Sequence, residues 1–406
     1  MNSEKIVDNV LNESKFQLVT PNDKIPTAWD KSIFLAGPIL RDNDDMSITW
    51  QNEAIELLKK AGFNGVVFCP APFMKSHDYK AQVDWENKCL NMTDCILFWI
   101  PRSAELPGFT TNTEFGEWMS SGKIVLGCPE DAIKVRYQLY KAQTYRVPVS
   151  DTLESTVANA VKFVGDGAHR EDGETTVPIY IWKTDSFQSW YQNHKKLGNK
   201  LIDSHVEWVF KAPKAQNIFC WVVFANMYIA AEDRNKVNEF VLSRPDIAVI
   251  VACQVNHKDL LASKILLIKE FRTPVNTPDG FIHELPGGST KTTKPMHVIA
   301  RDELKEETGL EVDANRMMYL ASRQLCGTLS AHKAHVFIVN LTDEEVNELA
   351  NTKKTFGVSD DSEKTYLEVM TVSDIMTLRL TDWSMVGMIA QAIGQLHVKE
   401  LIEHKE

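Results

Sequence analysis

The sequence carries no CxxC pair. Its seven cysteines, Cys69, Cys89, Cys95, Cys128, Cys220, Cys253 and Cys326, are odd in number and scattered. Zinc ligation and disulfide frameworks both need patterned spacing, so reduced thiols are expected. No apolar run approaches the roughly 20 residues that span a bilayer, and no membrane association is expected. Residues 1–16 lack the apolar centre of a secretory signal, which makes the expected compartment cytoplasmic. Basic residues are also in short supply: 44 Lys and Arg stand against 55 Asp and Glu, a net charge of −11. A broad nucleic-acid footprint needs a concentrated basic face, and that balance argues against one. Small phosphorylated ligands remain open, because they need only a few local donors and a metal.

At 406 residues the chain is long for one ordinary core, so two domains are expected. Residues 1–30 are polar, weakly patterned and read as a tail. From Lys31 onward, apolar runs at Ser32–Ile39, Val66–Pro70, Cys95–Ile100, Ile124–Cys128 and Thr144–Val149 alternate with helix-period stretches. Those stretches are Ile48–Ala61, Gln82–Met92, Thr113–Ser121, Asp131–Ala142 and Thr152–Val164. Five βα units in a row predict an α/β domain over 31–165, with a flavodoxin-like, doubly wound parallel sheet. Residues 166–176 are polar and glycine-rich, as a flexible linker would be. From 177 to 406 the texture turns to short aromatic and β-branched strands, with helices at Pro295–Thr308 and near Trp383–His397. That predicts an α+β domain.

The segment from Glu284 to Leu310 is the most informative. Pro295 suits a first helical position and Gly309 a C-cap. Glu303, Glu306 and Glu307 fall three and four apart, so their carboxylates are expected on one helical face that carries no core residues. Three like charges there would repel, and a hard divalent cation relieves the conflict; Mg²⁺ takes such oxygen ligands, with Mn²⁺ as a substitute. A carbonyl of the Gly287-Gly288 pair could join them. The plain structural reading is a solvated acidic face.

The whole segment resembles the Nudix box, G-x5-E-x7-R-E-U-x-E-E-x-G-U with U apolar. Gly288, Glu303, Leu304, Glu306, Glu307, Gly309 and Leu310 match it at the proper offsets. Two positions depart: the early glutamate is Lys294, and the arginine before the first helix glutamate is Asp302, with Arg301 one place early. The flanks, Ile268–Pro274 and Phe281–Gly288, look like the approach to the box in ADP-ribose pyrophosphatases. The resemblance implies a Nudix fold and Mg²⁺ held by Gly288, Glu303, Glu306 and Glu307, with Glu303 also in the catalysis. It implies a loop base at Glu363 within Asp360–Glu363, and hydrolysis of a nucleoside diphosphate derivative such as ADP-ribose or an NAD-like compound. Arg272 either meets a phosphate or is an exposed charge at a strand end.

In a doubly wound sheet, ligands bind beyond the carboxyl ends of the strands at the switch point. Strand one ends at Ala36-Gly37-Pro38, a tight turn where backbone can approach a ligand, with Arg41 just beyond. After Pro107–Thr111, Glu114 opens the next helix at the mouth of the site. Residues 31–165 resemble the nucleoside 2-deoxyribosyltransferases and their N-glycosidase relatives. The resemblance rests on Ile33–Pro38, Trp85-Glu86 with Leu90 and Thr93-Asp94, and Thr113–Trp118 with Gly122-Lys123. By it, Glu114 is the nucleophile at the sugar's anomeric carbon, and Glu86 assists the leaving base where an aspartate is usual. Gly37, Pro38 and Arg41 then bind substrate, Arg41 through a 5′-phosphate. Against this stand a dipole-stabilising Glu114 in a first helical turn, Asp84 as a rival to Glu86, and a structural Asp94.

The combined expectation is a two-domain enzyme of nucleotide metabolism, acting on small nucleotides or nucleosides and, by resemblance, a homo-oligomer. The two sites could act in sequence on NAD, releasing nicotinamide and then splitting ADP-ribose. The rivals are a true deoxyribosyltransferase beside an independent hydrolase, and a nucleotide sensor that binds without turnover.

Overall fold

The computed structural model describes residues 16–39, 49–71, 78–211, 218–289, 294–357 and 364–403. The chain divides into two compact units, Met1–Leu242 and Ser243–Glu406.

The first unit opens with β1 (Gln17–Val19), β2 (Ala28–Trp29) and β3 (Ser32–Ala36), then α1 (Trp50–Lys60) and β4 (Val66–Phe68). It continues through α2 (Tyr79–Met92), β5 (Cys95–Trp99), α3 (Phe109–Trp118), β6 (Ile124–Gly127), α4 (Arg136–Thr144), β7 (Val149–Ser150) and α5 (Leu153–Val164). The sheet order β1-β4-β3-β5-β6-β7 is parallel throughout. Apart from the added edge strand β1, it is the 2-1-3-4-5 order of flavodoxin-like folds.

Four of the five strands form where apolar runs were read, because a parallel strand buried on both faces must be apolar at every position; the fifth run, Thr144–Val149, meets its short, partly exposed strand β7 only at Val149. All five residues of β3 and of β5 are buried. Successive side chains go to opposite faces. Phe34, Ala36, Ile96 and Phe98 pack on one side with α2, α3 and α4, while Ile33, Leu35 and Leu97 pack on the other with α1 and α5. Burying each large apolar side chain stabilises the fold by about 1.5–3 kcal/mol. Helix starts are fixed locally: the Thr49 hydroxyl accepts from the Asn52 amide, and the Asp78 carboxylate from the Ala81 amide.

Two expectations about the chain ends of this domain fail. Residues 1–30 are not all tail, since Gln17–Val19 adds the edge strand β1 and Trp29 is buried. Three residues are too few to show periodicity. Nor is 166–176 a flexible linker. Its β8 (Arg170–Glu171) pairs with β2, and Gly173–Thr176 are buried in a short 3-10 turn. The compact units divide at Leu242, not near residue 177, because α6 (Ile179–Trp182) and α7 (Asp185–Lys196) pack beside β9 (Lys200–Lys211) and β10 (Ile218–Ile229). An aromatic cluster of Trp182, Phe187, Tyr191 and Trp221 holds that layer, and β11 (Arg234–Ser243) completes its antiparallel sheet β11-β10-β9.

The second unit is a mixed sheet between two helical layers. Its elements are β12 (Ile247–Gln254), β13 (Lys264–Glu270), β14 (Ile282–Glu284), β15 (Gly287–Gly288) and α8 (Met296–Thr308), then β16 (Met317–Gln324) and β17 (Lys333–Asn340). There follow α9 (Asp343–Asn351), β18 (Tyr366–Thr371), α10 (Val372–Leu378) and α11 (Trp383–Glu403). The order is β14-β13-β12-β17-β16, with β15 on β12 and β18 on β13. Helices α8 and α9 cover one face, α10 and α11 the other. Pro295 caps α8 rather than opening it, a one-residue shift. Among the described residues no helix is long and apolar enough to cross a membrane.

Candidate functional site

In the first unit the switch point lies between β3 and β5, and the turn Gly37-Pro38 leaves the end of β3. Gly37 is required there by close approach: a Cβ would run into the Trp99 carbonyl and come within 2.6 Å of the Trp50 ring. The Trp50 indole donates to the Pro38 carbonyl at 2.9 Å, which pins α1 to this turn. A Cβ on Gly108, the residue before α3, would lie 3.2 Å from the Pro38 side chain, so the start of α3 sits beside the same turn. Arg41 lies outside the described residues.

Glu114 does not open its helix. Helix α3 begins at Phe109, and its first turn holds no acidic residue. A dipole-stabilising role is therefore removed, since that effect fades after the first turn. The Glu114 carboxyl is instead set by burial, then by the facing Glu86 of α2, then by Glu117, which together push its pKa from the ordinary 4.5 up to about 8. The structure thus brings together the two carboxylates read from the sequence, and the pair favours one proton over two full charges. Glu86 is held by Gln82 one turn earlier: the Gln82 amide donates to Glu86 Oε1 at 2.6 Å and to the Pro70 carbonyl at 3.3 Å. Asp84, the rival, is exposed and ion-paired with Lys80 at 2.8 Å.

Asp94 is structural. Arg170 grips it with both terminal nitrogens at 2.6 Å, and Ser32 and the Ile179 amide donate to the same carboxylate. Both side chains of this ion pair are fully buried. Nearer the mouth, buried Arg102 donates to the Lys134 carbonyl at 3.0 Å and to Asn112, which also accepts from Gln138 at 2.6 Å. This ties the loop after β5 to α3 and α4.

In the second unit Glu307 is buried, so the acidic face of α8 is partly core, against expectation. Its carboxylate accepts from the Gly287 amide at 2.8 Å. Burial raises its pKa well above the ordinary value; the Gly287 bond and Arg272 oppose that shift, and Glu303 and Glu284 add to it. Gly288 is needed by close approach, because a Cβ there would stand 2.7 Å from the Glu303 carboxyl. Arg272, partly exposed, pairs with Glu270 at 2.8 Å and approaches Glu284 at 3.6 Å. Glu306 is exposed. Glu363 lies outside the described residues.

Among the described residues no group of three or more His, Cys, Asp or Glu side chains is gathered closely enough to hold a metal ion. The donor chemistry of Glu303 and Glu307 nonetheless fits a hard divalent cation. Hard carboxylate oxygens of like charge meet at a glycine cradle that leaves no room for a side chain. The two departures from the box prove to be partners: Lys294 Nζ lies 2.8 Å from Asp302. Where the pattern has Glu and Arg, this chain has Lys and Asp, with the signs exchanged.

Gln82, Glu270, Glu284 and Arg170 were missed as site or framework residues. A four-residue step back from Glu86 along a helix would have found Gln82. For Arg170, alone in a glycine-rich stretch, no local signal exists.

No curated protein matches the sequence. A solved structure titled "Crystal structure of ADP compounds hydrolase" is similar at 14% identity and a TM-score of 0.33, covering 51% of this chain and 95% of that one. Residues 30–132, the stretch that contains Gly37, Glu86 and Glu114, match the family model described as "Nucleoside 2-deoxyribosyltransferase like". The first unit therefore carries a nucleoside 2-deoxyribosyltransferase-like domain.

Proposed function

We propose that the chain is an enzyme of nucleotide metabolism with two catalytic units. The first cleaves or transfers an N-glycosidic bond, with Glu114 as the nucleophile and Glu86 assisting the departing base. The observation that carries this reading is the interacting pair Glu86–Glu114, the second on helix α3, whose start lies beside the Gly37-Pro38 turn. An anomeric carbon becomes oxocarbenium-like as its base leaves, so one carboxylate can capture it while the other handles the proton. Gly37 and Pro38 bring backbone to the sugar, and Arg41 is the proposed 5′-phosphate contact.

The second unit is proposed to hydrolyse a nucleoside diphosphate derivative, ADP-ribose or an NAD-like compound. Glu303, Glu306, Glu307 and the Gly288 carbonyl are its proposed Mg²⁺ ligands, Glu363 its loop base, and Arg272 a contact to phosphate. Bound Mg²⁺ would supply charge neutralisation for the diphosphate. Within the chain, Gly287 orients Glu307, and Arg272 offsets Glu270 and Glu284. A sensor without turnover draws its support from Lys294 and Asp302; their mutual ion pair shows that the two departures compensate each other's charge.

The test is to incubate the full chain with Mg²⁺ and a panel of nucleosides, nucleoside monophosphates, NAD and ADP-ribose, following free base and AMP together. Glu114→Ala should stop base release and leave diphosphate hydrolysis intact, and Glu307→Gln should do the reverse. Base release that survives in Glu114→Ala overturns the first assignment. Diphosphate hydrolysis at full rate in EDTA overturns the second. If NAD yields nicotinamide and AMP together, the two units act in sequence; AMP without nicotinamide separates them.

A further inference from the structure

Glu86 and Glu114 differ in how the fold treats them. One stands on α2 and the other on α3, close enough for their charges to interact. Gln82, which is buried, spends both N–H groups of its amide on fixed acceptors, the Pro70 carbonyl after β4 and Glu86 Oε1. The first bond anchors the amide to the sheet, so the second is delivered to Glu86 from a rigid support. A donor held at 2.6 Å favours the carboxylate over the acid. Glu114 receives no hydrogen-bond donor among the described residues, and the charges that act on it, Glu86 and Glu117, are both negative. Burial adds to the same bias.

We propose that Gln82 is a positioning residue that keeps the charge of the Glu86–Glu114 pair on Glu86 and the proton on Glu114 in the resting protein. Resting on the N-glycosidic reading above, this has a chemical consequence. The nucleophile itself carries the proton that the leaving base needs. As the bond from the anomeric carbon to the base nitrogen breaks, its electron pair goes to the base. The Glu114 proton passes across Glu86 to that nitrogen. The freed Glu114 oxygen forms the bond to the anomeric carbon. Glu86 begins and ends as a carboxylate, and the base departs neutral.

The experiment titrates the two carboxyl groups directly, by NMR of the full chain labelled with carbon-13 at the glutamate carboxyl. Signals are assigned by their loss in Glu86→Gln and Glu114→Gln. At neutral pH the Glu86 signal should be that of a carboxylate and the Glu114 signal that of an acid. In Gln82→Met, which keeps the side-chain volume and removes the donor, the Glu86 midpoint should rise by roughly one to two pH units. Glu114 should then lose its proton at lower pH, because its charged neighbour has been partly neutralised. The acid limb of base release should move with Glu86, and Gln82→His, which retains a donor, should move it less.

A wild-type protein with the proton on Glu86 at neutral pH overturns the proposal, whether or not any variant folds. An unmoved Glu86 midpoint in folded Gln82→Met overturns it too. The titration needs no substrate, so it stands apart from the catalytic reading. Proton placement as proposed without any base release sinks that reading alone, and base release with a charged Glu114 at rest sinks the Gln82 role alone.

Discussion

In the first unit the charges acting on Glu114 are both negative, and its pKa rises to about 8; in the second, buried Glu307 has Glu303 and Glu284 beside it but also the cation of Arg272 and the amide of Gly287. Burial raises both acids, but only in the second unit do a cation and an amide donor oppose that rise. The difference follows the chemistry proposed for each. A departing base takes a proton away, so a carboxylate pair that stores one is poised for it. A diphosphate arrives with further negative charge, and a stored proton would do little for it. Arg272 and a hard cation remain charged throughout.

The sharpest way to break the contrast is to remove one acid from each site. Glu114→Ala should lower base release by at least about a thousandfold, and Glu307→Gln should do the same to Mg²⁺-dependent diphosphate hydrolysis. Each should leave the other activity near wild type, measured on the same preparation. Loss of both activities in either variant would show that the two sites are not chemically separate.

The first unit also holds a buried ion pair, Asp94–Arg170. Arg170→Met leaves the Asp94 charge buried with only Ser32 and Ile179 as donors. Breaking such a pair costs about 3–5 kcal/mol. Urea unfolding followed through the aromatic residues should show the transition of the first unit displaced by that amount. A shift under about 1 kcal/mol would mean the segment 166–176 is held by its β8–β2 pairing and not by this ion pair.

A smaller effect reads the proton on Glu114 through pH. The folded pKa of Glu114, about 8, lies above its ordinary 4.5. The folded state therefore binds more protons than the unfolded chain between those values. The resulting stability is fully present below about 4.5 and is lost as pH rises through about 8. The first unit should weaken toward alkaline pH, and Glu114→Gln should flatten that dependence. Glu307 adds a dependence of the same sign to the second unit, which this variant should leave in place. An equal slope in wild type and Glu114→Gln would place the proton elsewhere.

Much of this was legible in the residues. Four apolar runs of 31–165 located parallel strands because burial on both faces leaves no freedom of composition, and the end of the first then located the Gly37 turn. The start of α3 was misread by four residues, since Gly108-Phe109 carries no side-chain cap. The pairing of Glu86 with Glu114 needed the fold, as twenty-seven intervening residues separate them. So did the burial of Glu307: periodicity places it on the acidic face, but only the approach of Gly287 turns that face inward. A structural Asp94 was legible, but Arg170 was invisible, because it lies far along the chain from Asp94 and nothing beside it marks the pairing.

Lys294 and Asp302 give the smallest effect and a separate test of how the second unit handles charge. From the pattern alone each is a loss, a glutamate turned to lysine and an arginine turned to aspartate. In the fold they meet at 2.8 Å, with Arg301 also 3.3 Å from Asp302. A charge pair depends on opposite signs and not on which partner carries which, so the exchange conserves the attraction. What it gives up is geometry: lysine is a point charge on a flexible stem, whereas arginine presents a planar fork that grips a carboxylate at two points. Both partners are about half exposed, so the pair contributes roughly 0–1 kcal/mol. Lys294→Glu alone sets two acids against each other at the start of α8, and Asp302→Arg alone gathers three cations there. Each single change should lower both stability and diphosphate hydrolysis. The double variant, Lys294→Glu with Asp302→Arg, should recover both and match or exceed wild type in holding α8. A double-mutant cycle on urea midpoints and on kcat/KM measures this directly. If the double variant shows only the sum of the two single losses, the two residues do not act as a pair. The departures from the box would then stand as two independent losses, and a binding protein without turnover would regain its case.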